Sequence, residues 1–250
     1  MLKMTIFFNI FIKSIAFFLS IVSIILIIIV SLSFFADTNN DYTTIDGKEN
    51  SSNIIAIIEF DGMIISTSSE ISKLTNRFII SPDDVKKKLE IIKKISPNTI
   101  IFSINSPGGT VSSSKKIYDI IKNYKKNNNN TNIYVHTDEL LASGGYWVAT
   151  AADGIYASYG SITGSIGVKG PDWFFYDKPR KISNGIFGNT IETENGIKIF
   201  SNKAGKSKDI FNPFRKPTNN ELEHLQNIVN EIYDDFIRIV SKERKIETNT

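Results

Sequence analysis

At 250 residues the chain has room for one core of ordinary size plus extensions. Its net charge of +3 is too small to argue for a nucleic-acid partner, and the lack of cysteine excludes disulfides, a thiol nucleophile and thiolate metal sites. Only two histidines are present, His136 and His224, so a multi-histidine metal centre cannot be built.

Residues 1–13 carry Lys3 and Lys13, and Ser14 to Ala36 hold no charge and are mostly Ile, Phe, Leu and Val. That run is about the length a helix needs to cross a bilayer. With Asp37 and Asp41 beyond it, the charges predict a cytoplasmic N-terminus, a single-pass anchor over 14–36 and an outward-facing remainder. A cleaved signal peptide is the competing reading, against which the apolar run is long. Residues 37–52 are Asn/Thr/Ser-rich, as in a linker. One domain over 53–250 follows.

Asn53 to Phe60 is a short apolar run ending at Asp61-Gly62, a buried-strand pattern. Ser81-Pro82-Asp83-Asp84 opens a helix with a capping serine, a first-turn proline and two acids, and Val85, Leu89, Ile92 and Ile95 form its apolar face. Thr99 to Ile104 reads as the next strand. The turn Asn105-Ser106-Pro107-Gly108-Gly109 leads to a helix with Val111, Ile117, Ile121 and Tyr124 on one side. A strand over Ile133 to Thr137, a helix over Tyr146 to Ala152 and a strand over Gly154 to Ala157 continue the alternation. Such alternation predicts an α/β fold with a largely parallel sheet and flanking helices. Beyond Pro171 the pattern loosens. Asn195-Gly196 suggests a hairpin within 184–200. Thr218-Asn219-Asn220-Glu221 is a capping box opening a long helix striped by Leu222, Leu225, Val229, Ile232, Phe236 and Ile239.

Ser143, in Ala142-Ser143-Gly144-Gly145-Tyr146, stands at the head of a helix, beside free N–H groups and the positive end of its dipole. An ordinary N-cap and a nucleophile both fit that position. The glycine pair after Pro107 lies at the carboxyl edge of the expected sheet, where ligands bind, and can present amides to an oxyanion or simply make a tight turn. A nucleophilic serine needs a base. His136 precedes it within a strand and His224 follows it on the last helix, which gives a Ser-His-Asp triad poor support. Lys203, Lys206 and Lys208 cluster in one segment; a lysine serves as base when its surroundings favour the neutral amine, and otherwise this is a solvated basic loop.

Residues 54–244 resemble the signal peptide peptidase A family of membrane-anchored Ser-Lys peptidases, which has a ClpP/crotonase-like fold. The resemblance rests on an ordered set: the segment Ser103 to Gly109, the segment Ala142 to Tyr146, Ala152 to Ser158, Ile162 to Val168, Lys203 to Asp209, and Tyr233-Asp234-Asp235-Phe236. It implies Ser143 as nucleophile and Lys208, rather than Lys206, as general base. It also implies backbone N–H groups of Gly109 and Gly144 as the oxyanion hole, and the Ser165 hydroxyl as the group that orients the lysine. Family members need no cofactor and assemble as homo-oligomeric rings with sites facing an enclosed space. In short relatives Ser and Lys can come from neighbouring subunits. The chain departs from the family in a longer stretch between Val168 and Lys203 and in stopping soon after the final helix, as a shortened variant or a fragment would.

The resulting expectation is a serine endopeptidase on the outer side of a bacterial cytoplasmic membrane, acting on extended peptides such as remnant signal peptides. The alternatives are a catalytically inactive ClpP-like scaffold that binds membrane partners and, less compatible with an anchor and a Ser/Lys pair, a crotonase-like acyl-CoA enzyme.

Overall fold

The computed structural model describes residues 2–36, 42–48, 51–66, 79–176, 182–185, 188–191 and 208–247, with side chains of the first helix described over 9–31. The chain divides into two units, Met1–Ser52 and Asn53–Thr250.

The first unit holds helix α1 (Leu2–Ala36), which starts well before the apolar run and takes in Lys3 and Lys13. Within it Asn9–Ser31 has a mean hydropathy of 2.9 and no buried residue, long and apolar enough to cross a membrane. Ser20 donates to the Phe17 carbonyl at 2.7 Å, Ser23 to that of Leu19 at 2.9 Å and Ser31 to that of Ile28 at 2.9 Å, which satisfies these three hydroxyls on an apolar surface.

The second unit is an α/β domain. Its main sheet runs β1 (Ile55–Asp61), β4 (Thr99–Asn105), β5 (Asn132–Thr137), β7 (Gly154–Ala157), in that spatial order and all parallel. Period-two alternation does the sorting. Ala56, Ile58 and Phe60, then Ile100, Phe102 and Ile104, then Ile133 and Val135 point to one buried face. Helices α2 (Pro82–Lys93) and α3 (Val111–Asn127) cover that face with Val85, Leu89, Ile92, Ile117 and Ile121. Ser81 caps α2 as its sequence predicts, its hydroxyl accepting from the Asp84 amide at 3.1 Å. The opposite face is open: Ile57 is 51% and Tyr156 59% exposed.

Three short pairs extend the framework: β2 (Met63–Ile64) with β3 (Ile79–Ile80), β6 (Leu140–Ala142) with β8 (Ile162–Gly164), both parallel, and the antiparallel β9 (Ile182–Gly185) with β10 (Gly188–Ile191). The hairpin expected at Asn195-Gly196 lies outside the described residues. Helix α4 (Gly144–Ala149) follows β6 directly, and α5 (Asn219–Arg244) closes the chain. The capping box of α5 forms in full between Thr218 and Glu221. Its apolar stripe is used unevenly. Phe236 and Ile239 are buried, Leu225, Val229 and Ile232 are half-buried, and Leu222 is exposed.

Candidate active site

The carboxyl ends of β4 and β6 meet at Ser143. Ser106, fully buried, pairs with Leu141 across an isolated bridge: its N–H donates to Leu140 O at 2.6 Å and its carbonyl accepts from Ala142 N at 2.9 Å. Its hydroxyl donates to Gly62 O at 2.7 Å and accepts from Gly108 N at 3.1 Å, so the end of β1, the glycine turn and β6 are tied through one residue. Asn105 extends the tie, its amide oxygen accepting from the Thr137 hydroxyl and the amides of Asp138 and Glu139 at 3.0 to 3.1 Å.

Ser143 occupies the N-cap position of α4 without capping it. Its side chain makes no cap bond, and its backbone sits at φ 51°, ψ −122° rather than in the extended region of an N-cap. A non-glycine residue there stores strain of about 1–3 kcal/mol, characteristic of a side chain aimed by its turn. The turn is held on both sides: Ser143 N–H donates to Gly164 O at 2.8 Å, and its carbonyl accepts from Trp147 N at 3.0 Å. Trp147 stacks on Phe236 of α5 at 4.5 Å, anchoring the helix behind the serine in the core.

Three glycines crowd this turn. A Cβ on Gly108, whose φ is +95°, would lie 2.7 Å from Gly144 N and 2.8 Å from Ser143 Cβ; one on Gly144 would lie 3.2 Å from Gly109 N and would collide with the Ser114 hydroxyl. Gly109 cannot gain a Cβ either, because the Ile64 carbonyl fills that place. The Gly109 amide has no acceptor among the described residues, and the Gly144 amide opens its helix, where none is available within the helix. The structure thus brings Ser143, Gly144 and Gly109 together. Asn105, Ser106 and Gly108, all in the turn marked by the sequence, complete the support together with Ser114, which was not singled out from the sequence. The Pro107-Gly108 pair is a signal for that turn, since proline followed by a positive-φ glycine is type II turn chemistry.

Ser165 follows the Ala142–Gly164 pair of the β6–β8 ladder, so the register carries it opposite Ser143, and it shares the φ of 51°. It is exposed, and no hydrogen bond joins the two serines. Lys208 is exposed in the turn 208–211, and no hydrogen bond connects it to Ser143. Lys203 and Lys206 lie outside the described residues. His136 is engaged elsewhere, 3.3 Å from Ser158 Oγ, which donates to Asp138 at 2.9 Å; His224 is exposed on α5.

The Lys208 turn is fastened by charge. Arg215 donates to both carboxylate oxygens of Asp209 and to both of Glu221, and its guanidinium lies 5.2 Å from the Trp173 ring. These bonds from Arg215, followed by that of the Thr218 amide, hold the Glu221 carboxyl down at about 2. Among the described residues no cluster of three or more His, Cys, Asp or Glu could hold a metal.

The model of peptidase family S49 matches residues 125–250, half of the chain and the half that holds both Ser143 and Lys208. The chain belongs to this family. A Clp protease model matches residues 80–154, from just after β3 begins to the start of β7, a stretch that holds two strands of the parallel sheet, β4 and β5. "Putative protease MJ0651" of Methanocaldococcus jannaschii is 35% identical over 64% of this chain and 46% of its own. "Putative signal peptide peptidase SppA" of Enterococcus faecium is 28% identical over 84% of this chain and 57% of its own. "Protease 4" of Haemophilus influenzae is 30% identical over 78% of this chain and 28% of its own. The chain spans less than two thirds of the length of each of these relatives.

Proposed function

We propose that this S49 family member is a serine endopeptidase with Ser143 as nucleophile and Lys208 as general base, held at a membrane by α1. The observation that carries the reading is the Ser143 turn: a strained serine whose side chain makes no cap bond, beside two glycines whose amides have no acceptor among the described residues. In the proposed reaction the neutral amine of Lys208 takes the hydroxyl proton as Ser143 Oγ attacks the peptide carbonyl carbon. The Gly109 and Gly144 amides receive the oxyanion, the amine product leaves with the proton returned by Lys208, and water hydrolyses the acyl-enzyme. Ser165, opposite Ser143 across the ladder, would orient the lysine. Because Lys208 is exposed in the single chain, its amine would be desolvated by the bound peptide or by a neighbouring copy in a ring.

Substrates would be extended peptides, remnant signal peptides among them, met on the outer side of a bacterial cytoplasmic membrane. The single-pass orientation rests on Lys3 and Lys13 before the apolar run and Asp37 and Asp41 after it. Replacing Ser143→Ala should lower peptide hydrolysis at least about 1000-fold with an unchanged melting temperature. Full activity in the purified variant would overturn the assignment.

The exposure of Lys208, with no hydrogen bond to Ser143, favours a second reading, a scaffold that keeps the fold without turnover. A fluorophosphonate separates the two: the peptidase is labelled at Ser143, the scaffold is not.

A further inference from the structure

We propose that Arg215 is the positioning residue for Lys208, locking the turn that carries the lysine onto the first turn of α5. This inference rests on the reading of Lys208 as the base. Lys208 is exposed and makes no hydrogen bond or ion pair with another described residue, so its place is inherited from the backbone of its neighbour Asp209. That neighbour is gripped by a planar fork. Arg215 Nε donates to Asp209 Oδ2 at 3.1 Å, and Nη2 donates to Oδ1 at 3.0 Å and to the Asp209 carbonyl at 3.3 Å. The other edge of the same guanidinium donates to Glu221, Nη1 to Oε2 at 2.8 Å and Nη2 to Oε1 at 2.6 Å. Glu221 is itself immobilised. It is buried, and one carboxylate oxygen accepts from the Thr218 amide at 2.9 Å and the Thr218 hydroxyl at 3.0 Å. Arg215 therefore bridges a rigid helix cap to the residue beside the base.

Two further features argue that the fork serves the turn and not only the helix. Stabilising the α5 cap needs Glu221 alone, yet half of the carboxylate contacts go to Asp209. The turn is also closed beneath the fork: Asn212 N donates to Asp209 O at 3.1 Å, and Trp173, under the guanidinium, donates to Asn212 O at 3.3 Å. A lysine at 215 could not reproduce this, because an ammonium is a point charge and cannot grip two carboxylates edge-on.

The test uses the full chain in detergent, assayed on an extended fluorogenic peptide. Arg215→Ala and Asp209→Asn should each lower kcat about 100-fold, the scale of a base displaced by an ångström, with KM within about threefold. The double variant should be no worse than Arg215→Ala, since the two residues act as one unit. Arg215→Lys should restore only part of kcat, and free guanidinium should partly rescue Arg215→Ala. Parent kcat in either single variant, a rise in KM alone, or additive losses would each overturn the proposal. If Arg215→Ala does not fold, Asp209→Asn decides, because it leaves the Glu221 cap in place. Lys208→Ala separates the two levels. Full activity there removes the base and this inference with it, whereas a dead Lys208→Ala beside an unimpaired Asp209→Asn removes the positioning role alone.

Discussion

The turn that carries Ser143 is fastened by backbone hydrogen bonds and by glycines pressed against backbone, whereas the turn that carries Lys208 is fastened by the side-chain charges of Asp209, Arg215 and Glu221. The first is part of the core: Leu141, Ala142 and Gly144 are buried around it, and Trp147 ties it to Phe236. The second lies outside the sheet and leans on one helix end. Packing resists acid and salt; ion pairs do not. Built on such different supports, the proposed nucleophile and the proposed base should fail under different conditions.

Deleting the ring behind Ser143 tests the packed side most severely. Phe236→Ala removes the stacking partner of Trp147 and should cost about 3–5 kcal/mol in a denaturant titration. Gly108→Ala is a finer cut. It forces a side chain into a φ of +95° and against Gly144 N and Ser143 Cβ, so about 1–3 kcal/mol should be lost. Phosphonate labelling of Ser143 should slow about 100-fold with it, as loss of an oxyanion donor does. The charged side is probed by pH. The Glu221 carboxyl falls from its ordinary 4.5 to about 2 in the folded state. Its contribution to stability is therefore complete above about pH 4.5 and fades as the pH drops toward 2. Melting temperature should decline across that window, and Glu221→Gln should flatten the decline; an equal slope in both would show that the cap carboxylate is not the group responsible. Ser81→Ala, remote from both turns, should cost only about 1 kcal/mol and leave labelling of Ser143 unchanged.

Much of the α/β frame was legible because its long elements obey simple periods. The β4 and β5 strands alternate inward and outward, and α2 announces itself by Ser81-Pro82 and ends near Pro97. The two- and three-residue strands β2, β3, β6 and β8 were not, since a period needs more residues than they have. The α5 stripe reads as uniformly apolar, but only its far end is buried, because tertiary packing and not the stripe decides which turns meet the core. At the site, the helix-head serine and the glycine turn could be picked out, and their approach to each other could not: it depends on Ser106 bridging β1, β4 and β6, a contact between residues 44 positions apart. The Arg215 fork was invisible for a similar reason, as nothing local marks which carboxylates an arginine will grip.

The stacking of Trp147 on Phe236 also bears on the order in which a newly made chain becomes competent. The ribosome releases the serine turn and the indole behind it well before the phenylalanine, which is encoded about 90 residues later. At roughly 5–20 residues per second, that leaves an interval of roughly 5–20 s in which the helix behind Ser143 lacks its backing. On the proposed reading, the site is thereby kept blunt until α5 has emerged. Ribosome-stalled chains ending before residue 230 should accordingly fail to take up the phosphonate, while chains stalled with α5 fully extruded should accept it.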